Sequence, residues 1–171
     1  MINKIKLSLV LLVIAISQSN ALIEVDITRG NLDPLPIAVS PLSAEKETED
    51  NLTKELKEEN IGQKISEVVE NNLKNSGLFN PLNRDAFLQK PDIAHLKPRF
   101  EDWSLIKAQA LITGKVTLVN EKLRVEFRLW DVLAGKEMMA LAFTTVPSNW
   151  RRVGHIITDK VYERLTGEKG Y

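Results

Sequence analysis

The residues able to carry chemistry are few. His155 and Asp159 are four positions apart, a separation that places both on one side of a helical turn and suits either two ligands to one metal ion or a base with its orienting carboxylate. A metal centre needs a third ligand and groups behind it that hold the set in place. The only other histidine, His95, lies between Pro91 and Pro98 in a proline-flanked loop. A surface hydrogen bond or cap is the simpler account of the pair, with a small hydrolase or metal-binding protein as the alternative. Glu101 and Asp102 are adjacent, so on a helix they point in different directions and read as first-turn charges rather than an acid/base pair. The chain has no cysteine, which removes thiol nucleophiles, thiolate metal sites, disulfides and a lipid-modified leader together. No GxSxG, HExxH, Walker or GxGxxG run occurs, so the sequence offers no positive support for an enzyme and implies no cofactor.

Charge narrows the partners. The 23 basic residues balance the 23 acidic ones, so no global positive field favours nucleic acid. Arg124, Arg128 and Trp130 interleave on one strand, but beside Glu126 they make a poor stacking platform for bases and read as a solvated face. With 171 residues, 43% hydrophobic and 27% charged, the chain suits one domain with one core.

The start reads as an export signal. Lys4 and Lys6 precede an apolar stretch from Leu7 to Ile16, and Ser19-Asn20-Ala21 is a small-x-small cleavage site, which predicts processing between Ala21 and Leu22. The apolar stretch is too short to span a bilayer core, which takes about 20 residues. No membrane span is expected once the leader is removed, and the mature protein is expected to be mildly acidic because Lys4 and Lys6 are lost with it.

The mature chain opens with an arm. In Leu22, Ile23, Glu24, Val25, Asp26, Ile27 and Thr28, the apolar Ile23, Val25 and Ile27 alternate with the acidic Glu24 and Asp26, the period of a half-buried strand. Arg29, Gly30, Asn31, Leu32, Asp33 and Pro34 then form a turn-rich linker. An ordinary edge strand and a segment that pairs with another chain by strand addition both fit this pattern. The domain proper, 35–171, begins with a short strand over Leu35 to Leu42, followed by a charged insert at 43–59 that reads as solvated.

Ile61, Ile65, Val68, Val69 and Leu73 mark one face of a helix, whose start lies at either Thr53 or Asn60 and whose end is set by Gly77. Pro91 and Pro98 are expected to end any helix in the irregular stretch that follows. Ala108 to Val119, Leu123 to Trp130 and Glu137 to Val146 predict an antiparallel meander. Ser148 is a suitable N-cap for a last helix with a Trp150, Val153, Ile157, Val161, Leu165 stripe, in which Gly154 allows close approach to the sheet. These elements make a layered α/β domain.

Three runs resemble one family: residues 22–42, with Pro36, Ile37 and Val39; residues 61–84, with Asn75, Ser76, Gly77, Phe79, Pro81 and Leu82; and residues 150–171, with His155, Asp159, Leu165, Thr166, Gly167, Lys169 and Gly170. Together they are similar to the N-terminal domain of the TolB family of the bacterial Tol-Pal system. The resemblance implies an α/β domain with a mixed sheet of about five strands and two main amphipathic helices, similar in fold to anticodon-binding domains. It also implies a periplasmic location and a non-catalytic role in outer-membrane integrity and in constriction at division. The family's extreme N-terminus engages the periplasmic domain of TolA, and Leu22 to Asp33 are the matching positions. The lipoprotein Pal is bound by the propeller that follows this domain in the family. No blade-like repeats occur up to Tyr171, so Pal binding is not carried over, and a truncated product of a longer gene is a further alternative that the downstream DNA would decide.

Overall fold

In a computed structural model of the protein, the described residues are Ile23, Val25, 33–44 and 60–169. The leader, its cleavage site, most of the arm and residues 45–59 of the charged insert lie outside them.

The first long helix among the described residues, α1, spans Ile61–Asn75 and buries Ile61, Ile65, Val69 and Leu73, the face its spacing predicts. Asn60 caps it by accepting from Gln63 N–H, which fixes the start at the later of the two expected positions. At the other end Gly77 takes φ 74° and donates to Lys74 O. The second bond of such a stop is replaced by Ser76, whose hydroxyl donates to Leu73 O at 2.6 Å and accepts from Leu78 N–H at 3.3 Å.

Six strands form one mixed sheet: β1 Leu35–Val39, β2 Ser43–Ala44, β3 Phe79–Pro81, β4 Ala110–Val119, β5 Lys122–Asp131 and β6 Lys136–Thr145. The order is β3-β1-β4-β5-β6, with β2 also on β4. β1 runs parallel to β3 and β4, while β4, β5 and β6 are the antiparallel meander read from alternation. Strand β2 begins at Ser43, where the sequence predicts only a charged insert, and pairs in parallel with Lys115 and Val116.

The last helix, α4, spans Trp150–Thr166 and lies with α1 on one face of the sheet. Its stripe of Trp150, Val153, Ile157, Val161 and Leu165 meets Ile112, Val125, Phe127 and Leu129. Two local expectations are corrected. Ser148 sits inside a 3-10 turn, Pro147–Asn149, and the residue ahead of the helix is Asn149, whose amide turns back to Thr145 instead of capping. Gly154 faces α1 rather than the sheet: a Cβ there would lie 2.7 Å from Val68 Cγ1, so the glycine sets how closely the two helices approach.

The other face of the sheet is covered at one end by two short helices, α2 Pro91–Ala94 and α3 Phe100–Leu105. Pro91 begins α2 instead of preventing it, because the first turn has no use for the missing N–H. Trp103, Ala94 and Ala108 pack there on Ala38, Leu111 and Val132. The buried Gln89 holds the loops around them, accepting from Arg99 N–H and Trp103 Nε1 and donating to Lys97 O.

Candidate functional site

Val25 and Ile23 meet the body at the C-terminal end of α4 and the end of β5. Helix geometry leaves the last carbonyls of α4 without intrahelical donors, and one of them, Leu165 O, accepts Val25 N–H at 2.7 Å. Ile23 N–H donates to Asp131 Oδ2 at 3.2 Å. Val25 is buried and Ile23 half-buried against the core under the helices. Neither belongs to a strand. Asp33, at the other end of the linker, is exposed. Leu22, Glu24 and residues 26–32 lie outside the described residues.

Asp131 is the residue of this contact that sequence reasoning missed. It is 1% exposed, and its second oxygen accepts Ala134 N–H at 2.8 Å, which closes the turn into β6. A signal was present: Leu123, Val125, Phe127 and Leu129 fix the inward phase of β5, and Asp131 is the next residue in that phase.

His155 and Asp159 lie on the outer side of α4, in a groove of about 430 Å³ lined also by Tyr162 of the same helix and by Asn72, Asn75 and Ser76 at the C-terminal end of the facing α1. His155 Nδ1 is 2.9 Å from Asn72 Nδ2, which also donates to Thr158 Oγ1. His95 is on the opposite side of the sheet, 3.1 Å from Ser43 Oγ and beside Lys115 and Arg128. The structure therefore does not bring the two histidines together, and among the described residues no three of His, Asp and Glu converge as metal ligands. Glu101 and Asp102 are first-turn residues of α3, and Asp102 pairs with Arg99.

The outer face of β5 is polar where the short helices do not reach. Arg124 Nε holds Glu126 at 2.8 Å, and that bond, ahead of an opposing contribution from burial, keeps the Glu126 carboxyl below its ordinary value. At the covered end Trp130 is not a free stacking surface: its Nε1 donates to Thr113 Oγ1 and its ring meets Phe100 edge-on. No helix among the described residues is long and apolar enough to cross a membrane.

Comparison with known proteins bears on the family and the fold. A family model described as the TolB amino-terminal domain matches residues 23–138. The Tol-Pal system protein TolB of Pelagibacter ubique (strain HTCC1062) is 76% identical over 162 residues, which cover 95% of this chain and 36% of that relative. The chain thus spans about a third of that relative's length. A crystal structure of TolB from Acinetobacter baumannii is similar in fold, with a TM-score of 0.63 at 19% identity, over 86% of this chain and 32% of that one.

Proposed function

The chain belongs to the TolB amino-terminal domain family, and from that premise we propose that it is a non-catalytic, periplasmic protein-interaction module of the Tol-Pal system. In this reading residues 22–33 bind the periplasmic domain of TolA by backbone pairing, with Ile23, Val25 and Ile27 supplying the apolar contacts, in support of outer-membrane integrity and constriction at division.

The observation that carries the reading is the manner in which the arm meets the body. Ile23 and Val25 are seated through one main-chain N–H each, to a side chain and to a helix-end carbonyl, and neither is in the sheet. Attached in this way, Ile23 and Val25 can exchange these contacts for a neighbour's sheet edge without breaking a ladder bond of their own.

Deletion of residues 22–33 is the test. Losing the burial of Val25 and part of Ile23 costs about 2–3 kcal/mol, a fraction of the roughly 5–15 kcal/mol that holds a domain together. The expected result is an unchanged far-ultraviolet spectrum, a Tm lower by roughly 5–10 °C, and no titration heat with TolA. Undiminished TolA binding by the shortened protein would refute the assignment.

A further inference from the structure

The two ends of the sheet are finished differently. At one end β3 is three residues long and closes on Pro81, which has no N–H to offer a further strand. At the other end β6 runs for ten residues, and among the described residues it pairs with β5 alone. Its charges, Lys136 and Glu137, are confined to its start. There the shift of register opposite Leu129 and Trp130 leaves Met138 as an extra residue, whose carbonyl accepts Arg164 Nε at 3.4 Å. From Met139 to Thr145 the strand holds neither charge nor proline. A long uncharged edge of this kind is a template for another strand.

Both faces of the run have room for one. Residues directly opposite across a strand pair share a face, so Met139, Leu141, Phe143 and Thr145 continue the inward row of Leu129, Phe127, Val125 and Leu123. The β5 members of that row are buried, whereas Leu141 is 36% exposed and Met139 and Phe143 are half-buried, so the apolar row reaches past the cover of α4. On the outer side Ala140, Ala142 and Thr144 are small and exposed, and the two alanines line an open groove of about 350 Å³.

The run is also complementary to itself. Joining two copies edge to edge about a two-fold axis sets β6 antiparallel to β6, and inward residues oppose inward ones only when the paired residue numbers are both odd or both even. Seating all seven residues puts Ala142 on the axis. Leu141 then lies opposite the second copy's Phe143, an aliphatic–aromatic pair on the inner face, while Ala140 opposes Thr144 and Met139 opposes Thr145. Lys136 and Glu137 fall outside the paired run, so no like charges meet.

We propose that β6 is a self-association edge, through which two copies of this chain pair over Met139–Thr145, with Ala142 on the two-fold axis, into one continuous sheet. The contact of Ile23 with Asp131 is left in place, because Asp131 stands opposite Lys136, beyond the paired run.

Sedimentation velocity on the purified protein is the first test. An interface this small, under about 1,200 Å², belongs with weak complexes, so the dimer is expected to grow in between roughly 10 µM and 1 mM. Ala142→Lys sets like charges together on the axis, yet within its own sheet it stands opposite Glu126, so the variant is expected to stay folded by far-ultraviolet dichroism and to remain monomeric across that range. Ala142→Glu, diagonal to Arg124 and Arg128, is expected to do the same. An equimolar mixture of the two variants pairs lysine with glutamate across the axis and is expected to dimerise at least as fully as the unmodified protein. If either variant does not fold, hydrogen exchange on the unmodified protein decides: amides of Met139–Thr145 that face away from β5 should slow roughly tenfold once about nine-tenths of the chains are dimeric, with those of β3 unchanged. A monomer up to about 1 mM, an Ala142→Lys protein that dimerises like the unmodified one, a mixture no more dimeric than its components, or β6 exchange independent of concentration would each overturn the proposal.

Discussion

Glu126 shows how much one contact decides on the open face of the sheet. Its carboxyl is held below the ordinary value of 4.5 first by the Arg124 hydrogen bond, with the charges of Lys115, Arg124 and Arg128 adding to it. A depressed folded-state value means the contribution to stability is complete above the unfolded carboxyl's pKa, about 4.3, and is lost as pH falls through the lower folded one. Arg124→Gln should therefore move the Glu126 titration upward, read by carboxyl carbon chemical shift, and remove part of the protein's acid resistance below about pH 4.3 while leaving neutral-pH folding intact. A Glu126 midpoint unmoved by the substitution would show that Lys115 and Arg128, not Arg124, set it. Asp131 is the contrasting carboxylate. Glu126 is polar in the outward phase and legible as surface, whereas Asp131 interrupts the inward phase, and its meaning emerges only when the arm's Ile23 is placed beside it.

At the scale of elements, the joint between α1 and the β1–β2 connection depends on one hydroxyl. Ser66 Oγ accepts Leu42 N–H at 3.0 Å and reaches Ser40 O and Gly62 O at 3.1 Å, all buried where Pro41 has no N–H to offer. Ser66→Ala should cost about 1–3 kcal/mol, the penalty of leaving Leu42 N–H unpaired, measured by urea denaturation; a smaller loss would mean that water enters the joint. Helices α1 and α4 and the meander were legible in the sequence because a 3.6-residue or two-residue period repeats often enough to outweigh local exceptions. The short layer around α2 and α3 was not. Its organiser, Gln89, acts through polar bonds to Lys97, Arg99 and Trp103, and no period announces such contacts. Pro91 was misread for a related reason, since proline ends a helix or begins one according to position, and position depends on those same contacts. The direction of Gly154 likewise followed from the packing of α1 on α4, which a stripe on either helix alone does not specify.

For the whole molecule, the question is whether the two faces of the sheet stand or fall together. Strands β1 and β4 send alternate residues into both clusters: Ile37, Val39, Ala110 and Ile112 under the long helices, Ala38 and Leu111 under the short ones. Neither cluster can lose its packing without loosening strands that the other needs, so the protein should unfold in one cooperative transition. Trp103→Ala tests this from the smaller side. The ring is 1% exposed and meets Phe87 edge-on at 5.0 Å, so its removal should cost about 3–5 kcal/mol. Trp150 lies in the cluster on the opposite face and reports that side by fluorescence once Trp103 is gone and Trp130, the third tryptophan, is replaced by Phe in both proteins compared. In urea, its signal and far-ultraviolet dichroism should give one common midpoint, lowered together relative to the protein that keeps Trp103. Two midpoints, with the Trp150 signal unshifted, would make the layer of α2 and α3 an independent cap. Ile23 and Val25 share in the same coupling: they are bonded to Asp131 of β5 and Leu165 of α4, so in a cooperative body these two contacts are lost with the sheet and not with the outer layer alone.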